Sequence, residues 1–199
     1  MRRIGLMGGT FDPIHLGHLA AAEAARAGFG LEKVIFVPAG DPPHKTGVST
    51  PGQARLEMVQ GAVAQKEYFE VSDFEIRKPG KSYTIDTVTY FHRQLGEDAE
   101  LFFITGSDAI LEILTWRDVP RLMQYCRFIA VARPGYAGLR QKILALPQYV
   151  HSRVKALEVP GLHISSTQVR SRVQSGQSIR ELVPENVASY IFQHGLYQN

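Results

Sequence analysis

The stretch near the amino end, residues 3–26, constrains the fold of this chain more than any other feature. An apolar run at residues 3–7 is followed by Gly8 and Gly9, and an alanine-rich run of high helix propensity occupies residues 19–26. A strand, a glycine turn and a helix therefore follow one another directly. Because the start of a helix carries unpaired backbone N–H groups and the positive end of the helix dipole, this arrangement favours phosphate binding.

Two histidines lie where this first helix is expected to begin. His15 and His18 are three residues apart, so they share a face if both lie on the first helical turn. A glycine pair is also typical of a simple tight turn, and a single histidine is more often a cap or a core residue. A structural metal site is disfavoured, because Cys126 is the only cysteine and no pair of carboxylates lies nearby in the sequence. The complete run GTFDPIHLGH, residues 9–18, is more specific than any of these alternatives.

Composition limits the class of protein. The 199 residues suffice for one domain, which we expect to span residues 1–199 with a helical portion at about 164–199. Hydrophobic residues make up 44% and charged residues 21%, which is typical of a soluble globular protein, and the net charge of +3 does not require a nucleic-acid partner. One cysteine and the lack of a long apolar stretch predict a cytoplasmic protein that does not enter a membrane. The sequence leaves the oligomeric state open, and a homo-oligomer is compatible with it.

Strand-like runs alternate with helical patterns along the rest of the chain. Strands are predicted at residues 33–38, 68–72, 100–106, 127–132 and 155–159, which is the pattern of βαβ units and predicts an α/β open parallel sheet with helices on both faces. The expected helices are those opening at Thr50 and Ser82 as N-caps, one at 119–125 capped by Asp118, one at 139–146, one beginning near Ser165, and two short ones after residue 178.

Polar residues follow several of these strands. Lys45 follows the strand at 33–38, Asp108 follows Gly106, and Arg133 follows the strand at 127–132. Open parallel sheets bind ligands at the carboxyl ends of their strands. Lys45 and Arg133 are therefore candidates for contact with an anionic substrate, and Asp108 is a candidate acceptor for ribose hydroxyls. The alternatives are a solvated lysine on a surface turn and an aspartate that caps the next helix.

A second phosphate-binding pattern occurs near the carboxyl end. Ser165, Ser166 and Thr167 precede a helical run, and Arg170 follows three residues after Thr167. Such a helix start, with hydroxyl donors and a nearby cation, suits a triphosphate, although hydroxyl residues at this position also serve as simple caps.

The run GTFDPIHLGH resembles the (T/H)xGH signature of the nucleotidyltransferase superfamily and is most similar to that of the bacterial nicotinate-nucleotide adenylyltransferases. Residues 164–170, ISSTQVR, resemble the second motif of the superfamily. Further similar segments are PPHK at 42–45, SYTIDT at 82–87, GSDA at 106–109, the Trp116 segment and ARPGY at 132–136. The resemblance implies a Rossmann-like fold and transfer of AMP from ATP to nicotinate mononucleotide.

The resemblance also implies roles for individual residues. His15 and His18 would be catalytic, with His18 nearest the reacting phosphorus, and Mg²⁺ would arrive bound to ATP rather than at a protein metal site. Residues expected to contact ATP are Gly8, Gly9, Thr10, Phe11, His18, Lys45, Gly106, Asp108, Ile164, Ser165, Ser166, Thr167 and Arg170. Those expected to contact nicotinate mononucleotide are Thr10, His15, Lys45, Tyr83, Thr84, Trp116 and Arg133.

Three alternatives stay open at this point. The chain could adenylylate nicotinamide mononucleotide, since an acid and an amide differ by only a few hydrogen-bonding groups. It could act on phosphopantetheine, although the segments around Tyr83, Trp116 and Arg133 argue against this. It could also bind nucleotides without catalysis, although the presence of both motif histidines argues for an enzyme. A lone tryptophan such as Trp116 is more often a core anchor than a platform for a ligand.

Overall fold

The computed structural model describes residues 1–42, 50–132, 138–159 and 163–198. Within them the chain forms a six-stranded parallel sheet of order β3-β2-β1-β4-β5-β6. The strands are β1 Arg2–Gly9, β2 Lys33–Pro38, β3 Phe69–Val71, β4 Ala99–Gly106, β5 Cys126–Ala132 and β6 Val154–Glu158. The predicted open parallel sheet is therefore confirmed, and each expected strand differs from the observed one by no more than one or two residues at either end.

Helices connect and flank these strands. The described helices are α1 Leu16–Phe29, α2 Gly52–Val63, α3 Phe74–Arg77, α4 Thr84–Leu95, α5 Ser107–Leu111, α6 Val119–Tyr125, α7 Leu139–Leu144, α8 Gln148–His151, α9 Ser166–Gln174 and α10 Glu185–Gln193. A single 3₁₀ turn, Ile113–Thr115, follows α5 in this part of the chain. None of the helices in the described ranges is long and apolar enough to cross a membrane.

Two hydrophobic cores form because successive residues of a strand point to opposite faces of the sheet. In β4, Phe102 and Ile104 belong to a core shared with α1, α2, α9 and α10. Leu101 and Phe103 belong to the other core, which is shared with α4 to α8. Helices thus cover both faces, and the C-terminal helices α9 and α10 lie on the same face as α1.

Several predicted helix boundaries and caps are wrong in detail. Pro51 and Tyr83, not Thr50 and Ser82, occupy the N-cap positions of α2 and α4, and neither position has a side-chain cap. Asp118 is at the N-cap of α6 without capping it through its side chain. The predicted helix at 139–146 ends at Leu144 because the chain turns before Pro147, which opens α8.

The tail contains one helix where two were expected. Residues 178–179 have no regular structure, residues 180–183 form a turn and a bend, and α10 alone follows Pro184. The apolar residues of the turn segment, Ile179, Leu182 and Val183, are nevertheless buried in the core shared with α1. Burial of these side chains and the hydrogen bonds from the backbone N–H groups of Leu182 and Val183 to the carbonyl oxygen of Ile179 fix the segment without a regular helix.

The order of the strands reverses between β1 and β4, because β2 follows β1 on one side and β4 pairs with β1 on the other. In open α/β sheets the crevice outside the carboxyl ends of the strands at such a reversal is where ligands bind. Gly9 ends β1 and Gly106 ends β4, so both glycines lie at this crevice.

Candidate active site

A cavity of about 470 Å³ occupies this crevice, which is within the usual size of a small-molecule site. Its walls come from the ends of β1, β4 and β5 and from the N-terminal turns of α1 and α9. The predicted residues that line it are Gly8, Gly9, Thr10, Phe11, His15, His18, Gly106, Ile164, Ser165, Ser166, Thr167 and Arg170. The amino-terminal and carboxyl-terminal motifs therefore converge on one space.

His15 and His18 cap α1 reciprocally. His15 is the N-cap residue, and its Nδ1 accepts a hydrogen bond from the backbone N–H of His18 at 3.3 Å. The Nδ1 of His18 accepts the backbone N–H of His15, also at 3.3 Å, and the two rings stack with centroids 3.6 Å apart. Because both Nδ1 atoms act as acceptors, the proton of each neutral imidazole lies on Nε2.

The Phe11 ring packs against the His18 ring. Its ring is buried, at 2% exposure, and packs edge-on against His18 with centroids 5.0 Å apart. The backbone of Phe11 has a φ of 49°, an uncommon value for a residue with a Cβ atom. Such a conformation persists only where its surroundings hold it, and here the Phe11 ring also packs against Phe36 of β2.

The start of α9 is fastened to the amino-terminal motif by hydrogen bonds. The Ser166 hydroxyl donates to the carbonyl oxygen of Pro13 at 2.9 Å, and Arg170 Nη1 donates to the carbonyl oxygen of Asp12 at 2.7 Å. Ser165 caps α9 by accepting the backbone N–H of Gln168, as expected for a hydroxyl at this position. The N-terminal ends of α1 and α9 thus face one cavity, and neither helix has an acidic residue in its first turn.

A smaller cavity of about 180 Å³ contains three of the residues predicted to contact the mononucleotide. Tyr83, Thr84 and Trp116 line it together with Ser82 and other residues. Trp116 is half-buried and packs edge-on against Phe103 and Phe128. The tryptophan is therefore anchored in the core and also borders a cavity, so both interpretations of this residue fit the structure.

One predicted contact among the described residues lines neither of these cavities. Asp108 lies in the first turn of α5 and is exposed, and it does not line the larger cavity. Lys45 and Arg133 lie outside the described residues.

Comparison with known proteins agrees with this geometry. Residues 6–172 match the family model described as cytidylyltransferase-like. A Moorella thermoacetica protein named probable nicotinate-nucleotide adenylyltransferase is 52% identical, over 98% of this chain and 92% of that protein. A protein of the same name from Thermus thermophilus is 47% identical, over 98% of this chain and 100% of its own length. The chain belongs to the nicotinate-nucleotide adenylyltransferase family.

The fold of this adenylyltransferase is also that of a solved structure. The Plasmodium falciparum nicotinic acid mononucleotide adenylyltransferase complexed with NaAD superposes with a TM-score of 0.80 at 20% identity. The match covers 99% of this chain and 98% of that chain. Because the sequence identity is only 20%, this likeness is evidence for the Rossmann-like fold alone.

A buried arginine and a half-buried tyrosine near the larger cavity were not predicted from the sequence. Arg55 of α2 is 1% exposed and donates hydrogen bonds to backbone carbonyls, and burial lowers the pKa of its guanidinium from its ordinary value. The hydroxyl of Tyr197 donates to Asp12 Oδ1 at 2.7 Å. An arginine beside the apolar stripe of α2 and a tyrosine in the tail carry no local pattern that distinguishes them from surface residues.

Proposed function

We propose that this chain transfers AMP from ATP to nicotinate mononucleotide. The products are nicotinate adenine dinucleotide and pyrophosphate, a step of NAD biosynthesis. The proposal rests above all on one observation, which is that the histidine pair and the start of α9 line a single cavity at the strand-order reversal. The likeness to relatives named for this activity supports the choice of substrates.

In this reaction an oxygen of the mononucleotide phosphate attacks the α-phosphorus of ATP, and pyrophosphate leaves with the electron pair of the broken P–O bond. The attacking oxygen is already ionised, so neither a protein nucleophile nor a strong general base is required. Catalysis then depends on aligning the two substrates and on donors aimed at the charge that develops around the α-phosphate.

The histidine pair supplies such donors. The mutual capping of His15 and His18 fixes both rings and places their protons on Nε2, the atom that would donate to a phosphate oxygen. The start of α9, with Ser166, Thr167 and Arg170, would bind the β- and γ-phosphates through backbone N–H groups, hydroxyls and a cation.

Other predicted contacts complete the proposal. Tyr83, Thr84 and Trp116 would hold the pyridine ring of the mononucleotide, and Lys45 and Arg133 would bind phosphate or carboxylate groups. We find no group of three or more His, Cys, Asp or Glu side chains suited to a metal among the residues that the structure describes. Mg²⁺ would thus enter with ATP, bound to its phosphates and mostly to water, and lower their charge.

Two further expectations belong to this proposal. The whole chain would act as one nucleotidyltransferase domain, because α9 and α10 share a core with α1 and α2. The reaction would take place in the cytoplasm, since the single cysteine, Cys126, is buried as a free thiol and suits a reducing compartment.

The assay for this proposal is release of pyrophosphate from ATP, compared between nicotinate and nicotinamide mononucleotides. We expect release with the acid and much slower release with the amide. Equal rates with both would refute the preference for the acid. Absence of release with either, despite binding of ATP, would instead identify a nucleotide-binding protein without this activity.

Replacing His18 by Ala should lower kcat by about 10²- to 10³-fold, the usual cost of losing one transition-state donor. Steady-state pyrophosphate release measures this, with circular dichroism to verify that the variant is folded. His151→Ala is the matched control, because His151 ends α8 and lines neither cavity. Near-normal turnover of His18→Ala would exclude His18 from the role assigned to it.

A further inference from the structure

Arg55 is the largest of the fully buried side chains, with 1% of its surface exposed. Its guanidinium donates to the carbonyl oxygens of Thr10 at 2.5 Å, Ala39 at 2.6 Å, Thr50 at 3.2 Å and Gly40 at 3.3 Å. Burying a cation is costly unless hydrogen bonds compensate, and here backbone carbonyls from separate segments provide them. A side chain that only filled space in α2 would not need a charge at this position.

These carbonyls belong to the segments that end at the ligand-binding edge of the sheet. Thr10 directly follows β1 and lines the larger cavity, and Ala39 and Gly40 directly follow β2. Thr50 lies just before α2. One planar guanidinium, with its five N–H donors in a fixed arrangement, therefore joins the carboxyl end of β1 to that of β2.

The same contacts continue to the smaller cavity. The backbone N–H groups of Gly40 and Asp41 donate to Ser82 Oγ at 3.0 and 3.3 Å. Ser82 lines the smaller cavity beside Tyr83 and Trp116. The backbone of Gly40 lies close to that of Glu75, because a Cβ atom at this position would overlap the carbonyl group of Glu75. A chain of direct hydrogen bonds thus runs from the larger cavity through Arg55 and Gly40 to Ser82.

We propose that Arg55 is a positioning residue that fixes the two cavities relative to each other, so that substrates bound in them meet at the correct distance. This inference rests on the proposed function, in which ATP and the mononucleotide occupy the two cavities. Misplacement of reacting groups by about 1 Å can cost about 10²-fold in rate. Arg55 contacts neither substrate in this account, so its loss should reduce the rate of the reaction more than the binding of either substrate alone.

The test compares Arg55→Lys with the wild type. Lysine keeps the charge but has three donors on one atom, so it cannot reach carbonyls of both strand ends at once. We expect kcat for pyrophosphate release to fall about 10- to 100-fold. The dissociation constants of nicotinate mononucleotide and of a non-hydrolysable ATP analogue, measured separately by calorimetry, should each change by less than about threefold. The calorimetric stoichiometry gives the folded fraction, by which kcat is corrected.

Met58→Ala is the control for a merely structural effect. Met58 lies on the same helix, is 1% exposed, belongs to the hydrophobic core and lines neither cavity. It should keep the wild-type kcat per binding-competent molecule even if it is destabilised. If Met58→Ala loses corrected kcat as strongly as Arg55→Lys does, or if Arg55→Lys keeps the wild-type corrected kcat, the positioning role is refuted.

Ser82→Ala provides a second test that does not depend on the folding of the Arg55 variant. It removes the acceptor that holds Gly40 and Asp41 and should also lower kcat more than it weakens binding of the ATP analogue. An unchanged kcat would refute the connection. Failure of the proposed function is distinguishable from failure of this inference, because without that function the wild type itself would release no pyrophosphate.

Discussion

At the scale of single residues, the glycines of the amino-terminal motif make room for neighbouring aromatic side chains. Gly8 and Gly9 both line the larger cavity. In the structure, a Cβ atom at Gly8 would lie 2.6 Å from Cζ of Phe103, and one at Gly9 would lie 2.9 Å from Cζ of Phe11. These glycines therefore make room for aromatic rings that support Trp116 and His18.

Replacing Gly8 by Ala should lower the free energy of unfolding by about 1–3 kcal/mol, because the added methyl group overpacks the Phe103 ring. Urea denaturation measures the change. Gly106→Ala is the matched control, since Gly106 also ends a strand at the cavity, has a φ of −66°, and has nothing within 4 Å of an added Cβ. That variant should be neutral or more stable by less than about 1 kcal/mol. Equal destabilisation of both variants would contradict this explanation.

At the scale of secondary-structure elements, side chains expected to cap helices instead connect different elements. Ser82 does not cap α4 but accepts hydrogen bonds from the segment after β2. The short helix α3, which the sequence analysis did not predict, places Glu75 in the interior at 7% exposure. The Glu75 carboxylate accepts a hydrogen bond from the Thr87 hydroxyl of α4. Buried polar pairs of this kind hold α3 and α4 together.

Glu75 predicts a pH dependence of stability. Burial raises the pKa of its carboxyl above the ordinary 4.5, against the opposing effect of hydrogen bonds from Thr87 and Ser82. The folded state binds this proton more tightly than the unfolded state does. The contribution of the protonated carboxyl to the free energy of unfolding is therefore complete below the ordinary pKa. It is lost as the pH rises through the folded-state pKa. Glutamine has no such proton, so Glu75→Gln should gain free energy of unfolding relative to the wild type as the pH rises.

Urea denaturation of both proteins between about pH 4 and pH 8 measures this difference. Glu57→Gln is a control of opposite sign, because hydrogen bonds from Tyr190 and Gln53 lower the pKa of Glu57. That carboxylate stabilises the fold above its unfolded-state pKa, and the stabilisation is lost as the pH falls through the folded-state pKa. As the pH rises, the free energy of unfolding of Glu57→Gln should therefore decrease relative to that of the wild type. A pH-independent difference for Glu75→Gln would show that its carboxyl does not titrate as described.

At the scale of the whole molecule, the carboxyl-terminal part of the chain closes over the amino-terminal motif. Ser166, Arg170 and Tyr197 each donate a hydrogen bond to Asp12 or Pro13, across separations of 153, 158 and 185 residues. Asp12 is 6% exposed, and burial raises the pKa of the Tyr197 hydroxyl that contacts it. The motif that carries the histidines is therefore held by residues from the opposite end of the sequence.

Replacing Tyr197 by Phe should lower the free energy of unfolding by about 1.5–3 kcal/mol, because the buried carboxylate of Asp12 loses a hydrogen-bond donor. Thermal or urea denaturation measures the change. The same substitution at Tyr149, which is 46% exposed on α8, should stay within about 0.5 kcal/mol of the wild type. If the two variants were equally stable, the hydrogen bond from Tyr197 would contribute nothing to closure of the tail.

The sequence alone determined the sheet, the position of its strands and the two motifs that meet at its edge. These features follow from local patterns, because strand periodicity, helix propensity and the glycine and hydroxyl residues of turns act within a few residues. Residues from both motifs, 9–18 and 164–170, line one cavity, since parallel strands bring their carboxyl ends to one edge.

Only the tertiary structure decided which polar side chains connect the segments of the site. Arg55, Ser82, Glu75 and Tyr197 have partners between 5 and 185 residues away, and their hydrogen bonds depend on how helices pack against the sheet. A local pattern cannot distinguish such a residue from a cap or a solvated side chain. The amino-acid order therefore specified which motifs line the larger cavity, while packing specified what holds the two halves of the site in place.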